Sequence, residues 1–143
     1  MKQIVRQITR YIQKELYSFR HALRGIKFLA SDHNFYFHFP AGLLVMLLGV
    51  VFEVRASEWL WLLTGIAAVW ITEGFNTALE KLTDLAMPDH HPLAGRIKDI
   101  SAAVVFMAVL YAGAIGIIVF WPYLSGSSGW LYIKSMLSSS SDL

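Results

Sequence analysis

Residues 100–124 read ISAAVVFMAVLYAGAIGIIVFWPYL, a run that contains no Asp, Glu, Lys or Arg and ends in an aromatic cluster. A transmembrane helix needs about 20 consecutive apolar residues, so this run is long enough to cross a lipid bilayer. Its terminal Phe120, Trp121 and Tyr123 are of the types that collect at the level of the lipid headgroups. The run therefore predicts a transmembrane helix.

Two further stretches have a similar character. Residues 34–52 contain no Asp, Glu, Lys or Arg, and residues 59–80 are apolar until Glu73 and Asn76 interrupt them. The whole chain has 143 residues, of which 56% are hydrophobic and 15% are charged. This composition excludes a disordered chain and disfavours an ordinary soluble domain. The sequence predicts an all-α membrane protein with three transmembrane helices.

The N-terminal segment, residues 1–30, has a different pattern. Its apolar residues recur every three or four positions, which is the helical period. The opposite faces carry the basic residues Lys2, Arg6, Arg10, Lys14, Arg20, Arg24 and Lys27. This pattern predicts an amphipathic helix that lies on an anionic membrane surface. The alternative is an amphipathic helix of a soluble bundle, which the three apolar runs disfavour.

Charge and cysteine content exclude several classes of function. The net charge is only +2, and the basic residues cluster in the N-terminal segment, which favours a membrane surface over a nucleic acid as the partner. The chain contains no cysteine, which excludes disulfides, Cys-ligated zinc and iron–sulfur clusters. It also lacks a glycine-rich phosphate loop such as GxxxxGK[ST], so any nucleotide must be bound by other means.

The basic N-terminal segment also predicts the orientation of the chain, because cytoplasmic segments are rich in Lys and Arg. The N-terminus and the loop at residues 81–99 are expected in the cytoplasm, and the turn at residues 53–58 outside. Residues 1–124 then form the membrane domain, and residues 125–143 form a Ser/Gly-rich tail on the outside.

Four polar side chains interrupt the second apolar run with a helical spacing. Glu73, Asn76, Glu80 and Asp84 are separated by steps of three, four and four, which places them on one stripe of a helix. A carboxylate inside an apolar span is costly and is a functional candidate by default. The alternative is a polar seam that only joins helices, but such a seam rarely uses repeated carboxylates.

This stripe carries the ligand types that phosphoryl transfer needs. Carboxylate oxygens are hard ligands for Mg²⁺, and Lys98 supplies a cation for a polyphosphate. Glu73, deeper on the stripe, is placed to accept the proton of a hydroxyl held at the membrane surface. The sequence therefore predicts a phosphoryl-transfer site whose acceptor is a lipid alcohol.

The same residues carry a resemblance to a known family. The pattern E-x-x-N-[ST]-x-x-E-x-x-x-D, followed by a short loop and H-x-[LV]-[AS]-x-x-x-K-D, is matched by Glu73, Asn76, Thr77, Glu80, Asp84, His91, Leu93, Ala94, Lys98 and Asp99. Over residues 17–123 the chain resembles the small prokaryotic membrane kinases that include diacylglycerol kinase and undecaprenol kinase. The resemblance implies a homotrimer in the bacterial inner membrane, with ATP as phosphate donor, Mg²⁺ as cofactor and active sites open to the cytoplasm.

The resemblance also implies roles for individual residues. Glu73 matches the catalytic base, with Asn76 beside it, and Glu80 matches a carboxylate that binds Mg²⁺. Asp32 falls where the family has Glu, and it is expected to bind the metal and ATP. The other residues expected to bind ATP are Glu80, Asp89, His90, His91, Lys98 and Asp99. Those expected at the lipid substrate are Glu73, Asn34 and Phe35.

Other interpretations of single residues stay open. Asp89 with His90 and His91 also fits a transition-metal site or a solvated loop. His38, the polar residue in the first apolar run, is interpreted as a hydrogen-bonded packing residue. Asp84 fits a helix end, a loop anchor and a site residue equally well.

The acceptor is the last open question. The loop at residues 87–93, MPDHHPL, resembles the undecaprenol-kinase branch, so the main hypothesis is phosphorylation of undecaprenol to undecaprenyl phosphate. Conversion of diacylglycerol to phosphatidate is the alternative. A non-enzymatic ion conductor that uses the intramembrane acids is the hypothesis from another class, and the fixed cation of Lys98 argues against it.

Overall fold

The computed structural model describes residues 2–32, 35–89 and 91–125. In these ranges the chain forms four helices and no strand. They are α1 (Lys2–Ala30), α2 (Phe35–Val51), α3 (Ala56–Ala86) and α4 (Pro92–Leu124). The prediction of an all-α protein is confirmed. The chain divides into two compact units, residues 1–36 and residues 37–143.

Helix α1 lies in the first unit and has 29 residues. Its apolar side chains at Ile12, Leu16, Phe19 and Leu23 are all exposed. Exposed apolar residues that recur at helical spacing need an apolar surface to cover them, and a membrane interface provides one. The position of α1 on a membrane surface stays a prediction.

Two of the described helices, α3 and α4, are long and apolar enough to cross a membrane. Helix α2 has 17 residues, and it is long enough to cross a membrane only when it is counted together with the helix before it. The structure therefore shows the apolar helices of a membrane protein, and the number of three transmembrane helices stays a prediction.

The helices α3 and α4 extend beyond the apolar runs that the sequence delimits. Helix α3 begins three residues before Trp59 and ends at Ala86, because the residue before Pro88 is disfavoured in helical conformation. Helix α4 begins at Pro92, at the first helical position, where a proline costs no hydrogen bond. Hydropathy marks only the part of a helix that is apolar, and these two helices continue through polar residues.

In the second unit, α3 and α4 pack along each other. A Cβ atom built at Gly65 would lie 3.3 Å from the Cα atom of Ala112, so the absence of a side chain lets the two backbones approach closely. Farther along, Leu62 of α3 packs with Ile115 and Val119 of α4. This close packing fixes which side of α3 faces α4.

Helix α2 is joined to α3 by indole rings. A Cβ atom at Gly42 would lie 2.8 Å from the ring of Trp70, and one at Gly49 would lie 2.8 Å from the ring of Trp59. The indole nitrogen of Trp70 donates a hydrogen bond of 3.1 Å to the carbonyl oxygen of His38. These contacts hold the N-terminal half of α2 beside the middle of α3 and the C-terminal end of α2 beside the start of α3.

The end of α3 that is remote from the polar stripe is closed by a polar cluster. The backbone N–H of Arg55 donates to Glu58 over 2.8 Å, and the hydroxyl of Tyr123 donates to the same carboxylate over 2.6 Å. The hydrogen bond and the charge of Glu58 raise the pKa of the Arg55 guanidinium above its ordinary value. The cluster ties the start of α3 to the end of α4.

Candidate functional site

The polar stripe of α3 lies on one side of the helix and becomes more exposed along the chain. Glu73 is 2% exposed and Asn76 is 4% exposed, whereas Glu80 is half-buried and Asp84 is exposed. A carboxylate as buried as Glu73 is rare in proteins unless it has a function or a compensating partner. The stripe thus leads from an exposed carboxylate to a deeply buried one.

Asn76 connects this stripe to α4. The hydroxyl of Ser101 donates a hydrogen bond of 2.6 Å to Oδ1 of Asn76, and Nδ2 of Asn76 donates one of 3.2 Å to Oε1 of Glu80. Ser101 was not among the predicted site residues. Its sequence signal was a hydroxyl at the start of an apolar run, three residues after Lys98.

His38 lies beside Glu73. Its Nε2 atom is 3.9 Å from Oε2 of Glu73, although the two residues are 35 positions apart in the chain. His38 is hydrogen-bonded through its backbone, because its carbonyl oxygen accepts a hydrogen bond from the indole nitrogen of Trp70. Its imidazole in addition lies within ion-pair distance of the predicted catalytic base, a relationship that sequence analysis missed.

Thr77, which the family pattern includes, follows Glu73 by one helical turn. Its side chain is buried, and its hydroxyl has no hydrogen-bond partner within the described part of the chain. A buried polar group of this kind is costly, so it needs a structural or functional reason. Thr77 therefore belongs to the candidate site by position and by burial.

Lys98 and Asp84 lie on either side of the loop between α3 and α4. The ammonium group of Lys98 forms an ion pair with Asp84. Asp99, next to it, is exposed. The structure therefore places Lys98 at the open end of the polar stripe and gives Asp84 a defined partner there.

The loop itself contributes His91 to the start of α4. The Nδ1 atom of His91 accepts a hydrogen bond of 3.2 Å from the backbone N–H of Leu93, so this side chain caps the helix. Helix caps satisfy N–H groups that the helix leaves open. Asp89 is exposed, and His90 lies outside the described residues.

The remaining predicted site residues lie just before α2 or at its first position. Asp32 is half-buried, and its backbone N–H donates a hydrogen bond of 3.0 Å to the carbonyl of Leu29, which ends the first helix. Phe35 is the first residue of α2 and is half-buried. Asn34 lies outside the described residues. Asp32 and Phe35 belong to the first unit, whereas the stripe belongs to the second.

The donor set of the stripe fits a hard divalent cation. One oxygen of Glu80 accepts from Asn76, and a carboxylate has a second oxygen with which to bind a metal. Oxygen ligands suit Mg²⁺, which keeps several waters and needs few protein carboxylates. The described residues contain no group of three or more His, Asp or Glu that would hold a metal by protein ligands alone.

Together these groups can perform acid–base and phosphate chemistry. Glu73 is a buried proton acceptor, Glu80 is a carboxylate oriented by an amide, and Lys98 is a cation near the open end. These three side chains lie on two packed helices, which position them more precisely than loops would.

Comparison with known proteins assigns a family to this arrangement. Residues 20–120 match the family model described as prokaryotic diacylglycerol kinase. The chain is 37% identical over 108 residues to undecaprenol kinase of Bacillus subtilis, covering 75% of this chain and 88% of the relative. It is 33% identical over 103 residues to diacylglycerol kinase of Synechocystis, covering 71% and 59%, and 30% identical over 83 residues to diacylglycerol kinase of Escherichia coli, covering 58% and 68%.

The helices and the polar stripe thus define a membrane enzyme of the kinase class. The chain belongs to the prokaryotic diacylglycerol kinase family, whose model matches well over half of it. The resemblance identified on the motif residues is confirmed. Membership makes ATP-dependent phosphoryl transfer its chemistry.

Proposed function

We propose that this chain transfers the terminal phosphate of ATP to the hydroxyl of a membrane lipid alcohol, with undecaprenol as the preferred acceptor. The observation that carries the proposal is the burial of Glu73, a carboxylate on an apolar helix that is 2% exposed. Membership of the prokaryotic diacylglycerol kinase family supports phosphoryl transfer from ATP as the reaction. The polar stripe contains the side chains that would carry it out.

Glu73 acts as the general base. It takes the proton of the lipid hydroxyl while the hydroxyl oxygen attacks the γ-phosphorus of ATP. The bond from this phosphorus to the bridging oxygen breaks, ADP leaves, and the proton remains on Glu73. Asn76, one turn along the helix, orients the groups beside the base through its hydrogen bonds to Ser101 and Glu80.

ATP binds at the more exposed part of the stripe. Glu80 and Asp32 are each proposed as ligands that would hold Mg²⁺, and the bound ion would neutralise charge on the phosphates. Lys98 contributes its cation to the phosphate chain. The other groups proposed at the nucleotide are Asp89, His90, His91 and Asp99. Since catalysis of phosphoryl transfer is mainly positioning and charge neutralisation, no covalent role is needed for any of them.

Undecaprenol is preferred as acceptor on two grounds. The loop at residues 87–93 resembles the undecaprenol-kinase branch, and the relative at 37% identity is named undecaprenol kinase. Diacylglycerol is the second candidate, because the relatives at 33% and 30% identity are named diacylglycerol kinase. In either case Asn34 and Phe35 are proposed to contact the lipid.

The proposed assembly is a homotrimer of protomers with three transmembrane helices. The N-terminus and the site face the cytoplasm of a bacterium, and residues 125–143 form a tail outside the membrane domain of residues 1–124. Helix α4 is rich in small residues, among them Gly113 and Gly116. A Cβ atom built at either glycine would meet nothing within 4 Å in the described part of the chain, so both positions are open to a helix of another protomer. Small residues allow two helices to pack closely, which supports the proposed assembly.

The test is a lipid phosphorylation assay with ATP labelled at the γ-phosphate. Purified protein in mixed micelles receives undecaprenol and diacylglycerol side by side, with Mg²⁺ or with a chelator. Labelled undecaprenyl phosphate, formed only with Mg²⁺, is the expected product. Labelled phosphatidate in its place would shift the substrate to the second candidate, and no labelled lipid from folded protein would refute the proposal.

A further inference from the structure

Ser101 is a buried hydroxyl to which neither the family pattern nor the proposed mechanism gives a role of its own. It lies near the N-terminal end of α4 and is 5% exposed. Its Oγ atom is 2.6 Å from Oδ1 of Asn76 and 2.9 Å from the carbonyl oxygen of Lys98. It is therefore the point at which α4 contacts the buried part of the polar stripe of α3.

The direction of these hydrogen bonds follows from the chemistry of the groups. An ionised carboxylate only accepts, so the Asn76 atom that faces Glu80 must be the donor, Nδ2. The amide oxygen of Asn76 then faces α4 and needs a donor, which the hydroxyl of Ser101 supplies. With the amide reversed, the oxygen of Asn76 would face the carboxylate and repel it.

We propose that Ser101 is a positioning residue for the metal ligand Glu80, acting through Asn76. By fixing the amide of Asn76, Ser101 holds one oxygen of Glu80 in place and leaves the carboxylate oriented for a divalent cation. This inference rests on the proposed function, since it takes Glu80 as a ligand of Mg²⁺. Groups that hydrogen-bond to a metal ligand and orient it affect metal affinity strongly.

The experiment measures the affinity of the full chain for Mn²⁺, as a spectroscopic substitute for Mg²⁺. The detergent-solubilised protein is titrated with Mn²⁺, and the electron paramagnetic resonance signal of the free ion is followed, first without nucleotide and then with a non-hydrolysable ATP analogue. Ser101→Ala is expected to weaken Mn²⁺ binding about tenfold. Ser101→Thr, which keeps the hydroxyl, is expected to stay within about twofold of the original chain.

Thr83→Val is the matched control. Thr83 is also a buried hydroxyl, and it donates to the carbonyl of Leu79 in its own helix. Removing this hydroxyl is expected to leave Mn²⁺ affinity unchanged. If Thr83→Val weakened Mn²⁺ binding as much as Ser101→Ala does, loss of any buried hydroxyl would explain the effect, and the proposal would be refuted.

A double-mutant cycle tests whether Ser101 acts through Asn76. If it does, Ser101→Ala causes no further loss of Mn²⁺ affinity in a chain that already carries Asn76→Ala. A full additional loss in that background would show an independent effect and overturn the proposal. The result of this cycle does not depend on whether the larger side chain of Ser101→Thr fits at position 101.

The lipid assay keeps this inference separate from the proposed function. Failure of the original chain to phosphorylate either lipid refutes the proposed function, whatever the Mn²⁺ affinities are. Wild-type Mn²⁺ affinity in Ser101→Ala refutes the role of Ser101, even in a chain that phosphorylates undecaprenol.

Discussion

The imidazole Nε2 of His38 lies 3.9 Å from the carboxylate Oε2 of Glu73, and this contact joins α2 to the most buried charge-bearing side chain of α3. The backbone of His38 is held by Trp70, whose indole donates to the His38 carbonyl. This hydrogen bond holds the backbone of His38 and does not involve its imidazole nitrogens. The pair forms the deep end of the candidate site.

Glu73→Gln is expected to abolish lipid phosphorylation while ATP still binds. Glutamine has nearly the same shape and lacks the proton-accepting charge, so the rate should fall by at least about a hundredfold. Initial rates with labelled ATP measure the loss, and binding of a non-hydrolysable ATP analogue serves as the control. Near-normal phosphorylation by this variant would exclude Glu73 as the base.

His38→Gln is expected to lower kcat by about tenfold with little change in KM for ATP, because the imidazole lies 3.9 Å from the carboxylate of the base. The hydrogen bond from Trp70 reaches the backbone carbonyl, so it survives the substitution. Thermal unfolding should accordingly change little. An unaltered kcat would return His38 to a purely packing role.

Much of this architecture follows from the sequence. The all-α fold and the stripe Glu73, Asn76 and Glu80 are consequences of hydropathy and of the helical period, which place side chains on a face of a single helix. Periodicity does not tell how two helices are rotated against each other. The contact of Ser101 with Asn76 and that of His38 with Glu73 depend on this rotation, so they appeared only in the structure.

The helix bounds and the capping role of His91 show a second limit of prediction from the sequence. Apolar runs delimit the part of a helix in lipid, whereas α4 begins at Pro92, eight residues before the apolar run. His91 matches the family pattern, and its capping bond to Leu93 depends on backbone geometry that a pattern of residue types does not specify. Its predicted contact with ATP stays a prediction.

Lys98→Met is expected to raise KM for ATP by about tenfold or more, because a charge-assisted hydrogen bond to phosphate is lost. Asp84→Asn is the comparison variant, since it removes the ion-pair partner of Lys98 and keeps the cation. An exposed pair of this kind contributes at most about 1 kcal/mol, so Asp84→Asn should leave thermal stability nearly unchanged. Equal KM values for Lys98→Met and the original chain would remove Lys98 from the nucleotide site.

Gly42→Ala is expected to destabilise the second unit, because the added Cβ atom would lie 2.8 Å from the ring of Trp70. Overpacking of this kind costs about 1–3 kcal/mol. Gly95→Ala is the matched control: Gly95 lies in α4 with nothing within 4 Å of the added atom, so alanine should stabilise the helix by up to about 1 kcal/mol. Thermal unfolding of both variants in the same detergent measures the difference. If Gly42→Ala unfolded at the same temperature as the original chain, the result would contradict the packing of Trp70 against α2. It would also contradict the position of His38 beside Glu73, which depends on that packing.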